Sequence, residues 1–396
     1  MPSPELTERI EQALADLRAD ARQVSDSIHA RPELRFEERF AAAILSDRLE
    51  QAGFRLERGI AGMPTAFRAS IGEGRPTLAI LCEYDALPEI GHGCGHNLIA
   101  AGGMLAGLAL ARAFRGAGTI QVVGTPAEEG GGGKIVELEA GVFDEVDAAL
   151  MFHPSDHTRM IRHATASRKV KVSFHGIAAH AAASPEHGRS ALAAVIQLFV
   201  AVDALRQFVP ETARIHGVIT DGGQAANVVP AFAAAEFQLR DVTSTGVEHL
   251  LERFRAAVEA SALATGTDGE LTLGSLYTER KNNRPLAERI GAYLSAQGMP
   301  PEPPLLTGGT GSSDIGNVSL AIPAVHPYVQ VMPRGTATHT AEMTEYAATD
   351  EAFEATVAAA RALALTGGDF LEDGVFRDEV AADFRDRGPD VPMGAR

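Results

Sequence analysis

The feature that most constrains the fold is an alternation of strand-like and helix-like segments in the first 150 residues. Apolar strand-like runs at 77–81, 119–125 and 147–152 are separated by helix-like segments at 97–114 and 133–141. Two earlier segments, 6–17 and 39–52, carry apolar residues at helical spacing. Alternating strands and helices of this kind form a mostly parallel sheet with crossover helices on both faces. The sequence therefore predicts an α/β fold for this part of the chain.

The pattern changes between residues 167 and 278. Strand-like runs at 169–176, 214–219 and 234–242 alternate with helix-like segments at 190–208 and 247–264, which predicts a two-layer α+β module. Apolar segments resume at 321–331, and a final helix is predicted over 350–364, with a loosely held charged tail after Thr366. We therefore expect one domain made of 1–166 and 279–396, interrupted by an inserted domain at 167–278.

Composition limits the class of partner. The chain has 396 residues, enough for two hydrophobic cores, and a formal net charge of −17. That charge would repel nucleic acid and anionic membranes, so a small molecule is the expected partner. No apolar run reaches the roughly 20 residues of a membrane span, and the acidic N-terminal segment does not resemble a signal peptide. We expect no membrane partner and a cytoplasmic location.

Both cysteines, Cys82 and Cys94, are predicted to be free thiols. Two cysteines exclude a disulfide framework. Cys82 lies in the apolar run TLAILCEYDAL and is expected to be a buried strand residue. Cys94 lies in the stretch GHGCGHN, residues 91–97, which packs two histidines and a cysteine between glycines. This stretch is therefore a candidate metal-binding loop.

Polar side chains that bind metals follow three of the predicted strands directly. They are Cys94 and His96 after the first strand, Glu128 and Glu129 after the second, and His153 after the third. In an open α/β sheet, ligands bind beyond the carboxyl ends of the strands, so these side chains are expected to meet at one edge. Asn97 is predicted to begin the next helix as a capping residue.

Each of these features has a simpler explanation when taken alone. His92 fits a hydrogen-bonded loop histidine, and a single short Cys–His spacing occurs by chance. His153 at a strand end fits a histidine satisfied within the core, and Glu128 with Glu129 fits a solvated loop. Their shared location is what favours a metal site.

The types of ligand atom indicate which metals fit the site and which roles the two glutamates have. Thiolate, imidazole and carboxylate ligands suit zinc, manganese or cobalt better than calcium or magnesium. Two ions about 3.5–4 Å apart need a bridging ligand, and Cys94 can bridge. Neighbouring glutamates in an extended segment cannot both face one ion, so one is expected to ligate while the other takes a proton from water.

Motifs spread over nearly the whole chain resemble one enzyme family. The motifs are GHGCGHN, TPAEEGGGGK, FHP, GIAAHAAASPEHGRSAL with NVVP, GSSDIGNVS and THTAEM. Together they resemble the aminoacylase and glutamate-carboxypeptidase family, metallopeptidase family twenty. Within it they are similar to the cysteine-containing branch of hippurate hydrolases, auxin-conjugate hydrolases, aminobenzoyl-glutamate hydrolases and related dipeptidases.

The resemblance implies a binuclear metal amidohydrolase with an inserted lid or dimerisation domain and a homodimeric assembly. Glu128 would be the general base, and His180, contributed by the lid of the partner copy, would polarise the scissile carbonyl. The implied metal ligands, for two divalent ions (Zn, Mn or Co), are Cys94, His96, Glu129, His153 and His339. The implied substrate contacts are Asn227, Arg240, Ser312 and Ser313.

The sequence departs from the family pattern at two positions. Many relatives carry a bridging aspartate in a His-x-Asp motif, whereas here the first strand ends in CEYDALP. Asp85 is therefore expected to be an orienting or structural residue, and Cys94 replaces the bridge. Asn97 stands where hippurate hydrolases carry aspartate, which resembles the aminobenzoyl-glutamate and β-alanyl-dipeptide subset. The preferred substrate within the family is therefore open.

We expect hydrolysis of the amide bond in a small N-acyl amino acid or dipeptide-like compound. The alternatives are an exopeptidase for longer peptides and a noncatalytic protein that binds a metal or small molecule. A nucleotide-dependent enzyme is disfavoured, because GGGGK lacks the spacing of a phosphate-binding loop. His187, His216 and His326 are expected to be structural.

Overall fold

The computed structural model describes residues 2–305 and 311–391, which form two compact units. The main unit lies within Met1–His163, Arg280–Thr307 and Ser313–Asp390. The inserted unit lies within Ala164–Glu279, Gly308–Ser312 and Val391–Arg396. Residues 309 and 310, which precede the predicted GSSDIGNVS contact loop, lie outside the described residues.

The described chain contains both α-helices and β-strands. The helices are α1 (Pro4–Ala30), α2 (Arg39–Gln51), α3 (His96–Ala113), α4 (Gly133–Glu139), α5 (Ala191–Leu205), α6 (Ser244–Thr265), α7 (Arg284–Ser295), α8 (Ile315–Ala321), α9 (Ala341–Tyr346), α10 (Asp350–Glu372) and α11 (Gly374–Asp386). The strands are β1 (Arg55–Arg58), β2 (Phe67–Glu73), β3 (Thr77–Cys82), β4 (Gly118–Gly124), β5 (Ala148–Leu150), β6 (His153–Ser155), β7 (Ala166–His175), β8 (Arg214–Asp221), β9 (Phe232–Asp241), β10 (Asp268–Tyr277), β11 (Ala324–Val325) and β12 (Tyr328–Gln330).

The main unit is built on a six-stranded sheet in the order β1-β2-β4-β3-β5-β11. Strands β4, β3, β5 and β11 run parallel, whereas β2 and β1 add an antiparallel edge. Every residue of β3 is buried, as expected for a central parallel strand covered on both faces. The prediction of a mostly parallel sheet is confirmed, and the antiparallel edge was not predicted.

Alternate residues of β3 supply two different cores. Leu78 and Ile80 belong to a large core that also contains apolar residues of α1, α3 and α10. Ala79 and Leu81 belong to a smaller core on the opposite face, which includes Ile315 of α8. Successive side chains of a strand point to opposite faces, so this division places helices on both sides of the sheet.

The inserted unit is a four-stranded antiparallel sheet, ordered β10-β7-β9-β8, with two helices packed on it. Buried and half-buried residues alternate along β9, which gives the sheet one apolar face. That face and the apolar sides of α5 and α6 form one core. The predicted α+β insertion is confirmed, although β10 was not among the predicted strands.

The prediction of a loosely held tail is wrong for the described residues. Helix α10 continues to Glu372, and α11 follows it to Asp386. Phe376 and Val380 of α11 are buried, and Asp390 accepts a hydrogen bond from the backbone N–H of Asn282 at 2.8 Å. Although α11 is rich in charged residues, it carries an apolar stripe on one side, and burial of that stripe holds α11 in place.

Candidate metal centre

The ends of three strands of the main unit deliver the candidate ligands. Strand β3 ends at Cys82, and the loop that follows it leads to Cys94 and His96. Strand β4 ends at Gly124, shortly before Glu128 and Glu129, and His153 is the first residue of β6. His339, from the loop before α9, donates its backbone N–H to the Gly93 carbonyl at 2.7 Å. This bond ties the last ligand to the glycine-rich loop.

Gly95 allows the glycine-rich loop to pass directly into helix α3. Its φ of 76° lies in the left-handed region, and a Cβ built there would lie 2.7 Å from Cε of Met343. The helix therefore begins at His96, and the prediction that Asn97 caps it is wrong. The buried Asn97 amide instead donates to Ser25 Oγ at 3.0 Å and to the Ala347 carbonyl at 2.9 Å. Asn97 thus ties α3 to α1 and to the end of α9.

His92 has the character expected of a loop histidine. Its Nε2 lies 3.2 Å from the carbonyl of Ile28. Burial, followed by the nearby His96 and His29, lowers the pKa of His92 to about 3, so the ring is neutral. Within the described residues, His92 belongs to none of the clusters of potential metal ligands.

The candidate ligand atoms fall into three overlapping groups. In each group the donor atoms lie within 4.8 Å of one another. The groups are Cys94 with His96 and His153, Cys94 with Glu129 and His339, and His96 with Glu128 and Glu129. The five predicted ligands and the predicted base are therefore brought together, and Cys94, His96 and Glu129 each belong to two of the groups.

Asp85 orients two of these side chains. Nδ1 of His96 lies 2.8 Å from the Asp85 carbonyl and 3.1 Å from its Oδ1, so Nδ1 carries the hydrogen and Nε2 is directed away. The backbone N–H of Glu129 donates to Oδ2 of Asp85 at 2.8 Å. A carboxylate behind a metal-binding histidine is the usual device for fixing its ring and tautomer.

Cys94 and His153 lie side by side. The sulfur of Cys94 is 3.4 Å from Nε2 of His153, whose Nδ1 lies 2.7 Å from the Pro154 carbonyl. Burial raises the pKa of the Cys94 thiol. Burial lowers the pKa of His153 to about 4, so its Nε2 offers a lone pair at neutral pH.

The two adjacent glutamates are in different electrostatic environments. Burial, together with the charges of Glu129 and Glu83, raises the pKa of Glu128 well above its usual value. Burial is the largest influence on Glu129 and acts to raise its pKa, but the hydrogen bond from His339 together with the charges of His96 and His339 outweighs it, and the net shift is downward. Nε2 of His339 is 3.1 Å from Oε1 of Glu129. Glu128 is thus the stronger proton acceptor of the two, and Glu129 favours remaining ionised.

The donor set fits divalent cations. Nε2 of the fully buried His96 has no hydrogen-bond partner within residues 2–305 and 311–391. Burial acts to lower the pKa of His96, but the charges of Glu83 and Asp85 raise it well above its usual value, so this site attracts a cation. The Cys94 thiol, which burial keeps protonated, becomes a thiolate readily only next to a positive charge. A thiolate, imidazoles and carboxylates together suit zinc, manganese or cobalt.

Two predicted catalytic or substrate residues lie together in the inserted unit. His180 pairs with Val228 in an isolated bridge, and the carbonyl of Asn227 accepts from the N–H of Ala181 at 3.0 Å. Nδ1 of the exposed His180 accepts from the N–H of Ala183 at 3.1 Å. The hydrogen of the neutral ring therefore sits on Nε2, which is available as a donor.

Arg240 and Ser312 form a second polar pair in the inserted unit. The guanidinium of Arg240 donates to Ser312 Oγ at 2.9 Å, and that hydroxyl donates to the Thr165 carbonyl at 2.6 Å. The other predicted contact, Ser313, belongs to the main unit, where its buried hydroxyl has no hydrogen-bond partner among the described residues. The two serines thus occupy different units.

Sequence reasoning missed a buried charged triad in the main unit. Nζ of Lys134 lies 2.5 Å from Oε2 of Glu83 and 2.9 Å from Oδ1 of Asp314, and all three side chains are fully buried. The available signal was a charged residue at the end of an apolar strand and a lysine inside the GGGGK run. Neither signal identifies the partner residue.

Comparisons with known proteins identify relatives of this chain. The profile of the peptidase dimerisation domain matches residues 165–265. The Xaa-Arg dipeptidase of Mus musculus is 34% identical, covering 96% of this chain and 91% of its own length. A p-aminobenzoyl-glutamate hydrolase chain of Escherichia coli is 38% identical, covering 74% of this chain and 65% of its own length.

A solved structure has the same fold at low sequence identity. The aminobenzoyl-glutamate utilization protein of Klebsiella pneumoniae superposes with a TM-score of 0.73 at 21% identity. The match covers 92% of this chain and 99% of that one.

Proposed function

This chain belongs to the M20 metallopeptidase family, whose members hydrolyse amide bonds of small substrates, and we propose that it cleaves N-acyl amino acids or dipeptides with two divalent ions. The observation that carries the proposal is the convergence of Cys94, His96, Glu129, His153 and His339. Cys94 is common to two groups of donor atoms, one completed by His96 and His153 and the other by Glu129 and His339. His96 and Glu129 also belong to two groups each. An imidazole nitrogen has one lone pair and serves one ion, so Cys94 or Glu129 would have to bridge two ions, and we assign the bridge to Cys94.

Divalent ions in such a centre lower the pKa of water and polarise a carbonyl oxygen. Glu128 is the buried carboxyl that we assign as general base. It would take the proton from the attacking water and then deliver it to the departing amine. Glu129 is held by His339 and by the backbone contact to Asp85, so it is suited to ligation rather than proton transfer.

We assign to His180 the stabilisation of the negative charge that develops on the carbonyl oxygen. The neutral ring presents Nε2–H as a donor, because the N–H groups of Ala182 and Ala183 point at Nδ1. A donor of this kind stabilises an oxyanion more than it stabilises the ground-state carbonyl. Within this proposal His180 is contributed by the second copy of a homodimer.

The named relatives indicate the substrate class. A dipeptide ending in arginine and an aminobenzoyl-glutamate both join an acyl group to an amino acid through an amide. We propose the same class here, with Asn227, Arg240, Ser312 and Ser313 as substrate contacts. The charged guanidinium of Arg240 suits a substrate carboxylate.

The inserted unit supports homodimer formation. Ile196 and Val200 of α5 are 50% and 62% exposed, and Val218 of the edge strand β8 is 60% exposed. Within the described residues, Ala191–Phe208, which comprises α5 and the 3-10 turn after it, is the one helical stretch long and apolar enough to cross a membrane, and only a third of it is buried. We propose that this apolar surface packs against a second copy, as the matched dimerisation domain suggests.

One experiment tests the proposal directly. The protein is freed of metal, reloaded with Zn²⁺, Mn²⁺ or Co²⁺, and assayed on aryl-acyl amino acids, dipeptides and longer peptides. We expect about two ions per chain and turnover confined to the small amides. Turnover without metal contradicts the proposal, and a preference for longer peptides favours the exopeptidase alternative.

A further inference from the structure

Glu83 lies at the carboxyl end of β3 and faces the same imidazole as Asp85. Oδ1 of Asp85 is 3.1 Å from Nδ1 of His96, and Oε1 of Glu83 is 3.6 Å from Nε2 of the same ring. Alternation along the extended chain turns Tyr84 the other way, where its hydroxyl donates to the Thr65 carbonyl at 2.5 Å. Oε1 of Glu83 thus faces Nε2 of His96, the ring nitrogen that is available to a metal ion.

The two oxygens of Glu83 differ in their surroundings. Oε2 is held by Lys134 at 2.5 Å, whereas Oε1 has no hydrogen-bond partner in the described part of the chain. The side chain is fully buried. Burying a carboxylate oxygen without a hydrogen-bond partner is unfavourable. Because Oε1 of Glu83 faces His96, a ligand bound between the two side chains would supply the missing partner.

The net charge of the buried triad of Glu83, Lys134 and Asp314 indicates that this ligand is a cation. Asp314 accepts from Lys134 twice, through Nζ to Oδ1 at 2.9 Å and through the backbone N–H to Oδ2 at 3.0 Å. One ammonium therefore serves two carboxylates, and the triad carries one excess negative charge. Because Asp314 uses both oxygens on Lys134, the excess charge is available at Oε1 of Glu83. A cation beside His96 would neutralise it.

We propose that Glu83 is a further ligand of the metal ion held by His96, and that Lys134 with Asp314 fixes its carboxylate. The inference rests on the proposed metal centre. In it, Lys134 and Asp314 are positioning residues that contact no ion. They hold Oε2, leave Oε1 free for the metal, and restrict rotation of the carboxylate.

Co²⁺ binding to the metal-free chain tests this inference without relying on turnover. Calorimetric titration gives the affinity and number of ions, and the Co²⁺ absorption spectrum reports the ligand set. We expect Glu83→Gln to weaken one ion about 10–100-fold and to change the spectrum, as loss of a group that holds or orients a ligand does. The control is Glu137→Gln, which alters another fully buried carboxyl of the main unit. It should bind Co²⁺ as the wild type does.

Two further variants keep the test decisive if Glu83→Gln folds poorly. Glu83→Asp keeps the charge but shortens the side chain, and it should weaken the same ion. The double variant Lys134→Met with Asp314→Asn removes one charge of each sign, keeps the net charge of the triad, and should also weaken that ion. Circular dichroism confirms the fold of each protein.

The outcomes separate the two proposals. A wild-type chain that binds no Co²⁺ overturns the proposed metal centre itself. Normal Co²⁺ affinity and spectrum in folded Glu83→Gln or Glu83→Asp, with two ions bound to the wild type, overturn only the assignment of Glu83. Unchanged binding in the double variant overturns the role of Lys134 and Asp314.

Discussion

The main and inserted units hold their candidate catalytic residues in contrasting ways. In the main unit, His96 and Glu128 are buried, and His96 is oriented by Asp85, which also accepts from the backbone of Glu129. In the inserted unit, His180 and Asn227 are exposed, and the described hydrogen bonds of His180 come from the backbone of the next few residues. The candidate residues of the main unit are thus buried and oriented by other side chains, whereas those of the inserted unit are exposed.

This difference shows which properties the fold itself sets. Burial next to other charges shifts the pKa values of Glu128 and His153, so the main unit prepares protonation states before any substrate binds. An exposed histidine gains its effect only when a substrate excludes water around it. The main unit is therefore expected to control metal binding and proton transfer, and the inserted unit to control transition-state stabilisation and assembly.

Replacing Glu128 by glutamine should have the largest effect. Removal of the general base is expected to lower kcat by about 10²–10⁴-fold while two ions remain bound, because the substituted amide keeps the shape of the side chain but cannot take a proton. Steady-state kinetics with metal analysis measures both quantities. Glu139→Gln, an exposed residue at the end of α4, is the control. Full activity in Glu128→Gln would end this assignment.

The next largest effect is expected from His180→Ala. Loss of one donor to the oxyanion should lower kcat by about 10²–10³-fold, with little change in metal content. His187→Ala, an exposed histidine of the same unit, should leave kcat unchanged. Loss of metal in His180→Ala would contradict the assignment of metal binding to the main unit alone. Normal turnover would remove His180 from the mechanism.

Charges on the apolar surface of the inserted unit should weaken the dimer. The double variant Ile196→Glu with Val200→Glu is expected to raise the dimer dissociation constant at least about 100-fold, because carboxylates would be buried without partners. Light scattering after size-exclusion chromatography measures the mass. Leu263→Glu alters an 86% exposed apolar residue on α6 and is the matched control. An unchanged dimer would place the interface elsewhere.

The smallest effects are expected at two helix caps, one in each unit. Thr349 Oγ accepts from the N–H of Ala352 at 3.2 Å, and Ser190 Oγ accepts from the N–H of Ala193 at 3.2 Å. Substituting either by alanine should lower the free energy of unfolding by about 1 kcal/mol. Saturating Co²⁺ should restore stability to Thr349→Ala in the main unit and much less to Ser190→Ala. Thermal unfolding with and without Co²⁺ measures both, and equal restoration would contradict a metal site confined to the main unit.

Much of the fold and of the candidate site follows from local sequence pattern. Periodicity is a property of neighbouring residues, so the parallel strands β3, β4 and β5 could be recognised from their apolar runs. The full extents of α1 and α11 could not be recognised in this way, because packing against residues distant in the sequence holds their charged turns in place. The helical spacing of apolar residues was recognised only over 6–17, whereas α1 continues to Ala30 and buries Val24 and Ile28 in its later turns.

By itself, the sequence determined that thiol, imidazole and carboxylate groups follow successive strands, because strand polarity brings carboxyl ends to one edge. Only the tertiary structure decided that Cys94 belongs to two groups of donors and that Asp85 orients both His96 and Glu129. Lys134 meets Glu83 across 51 positions and Asp314 across 180. Local spacing carries no information about such pairs, since their proximity results from how whole helices and strands pack.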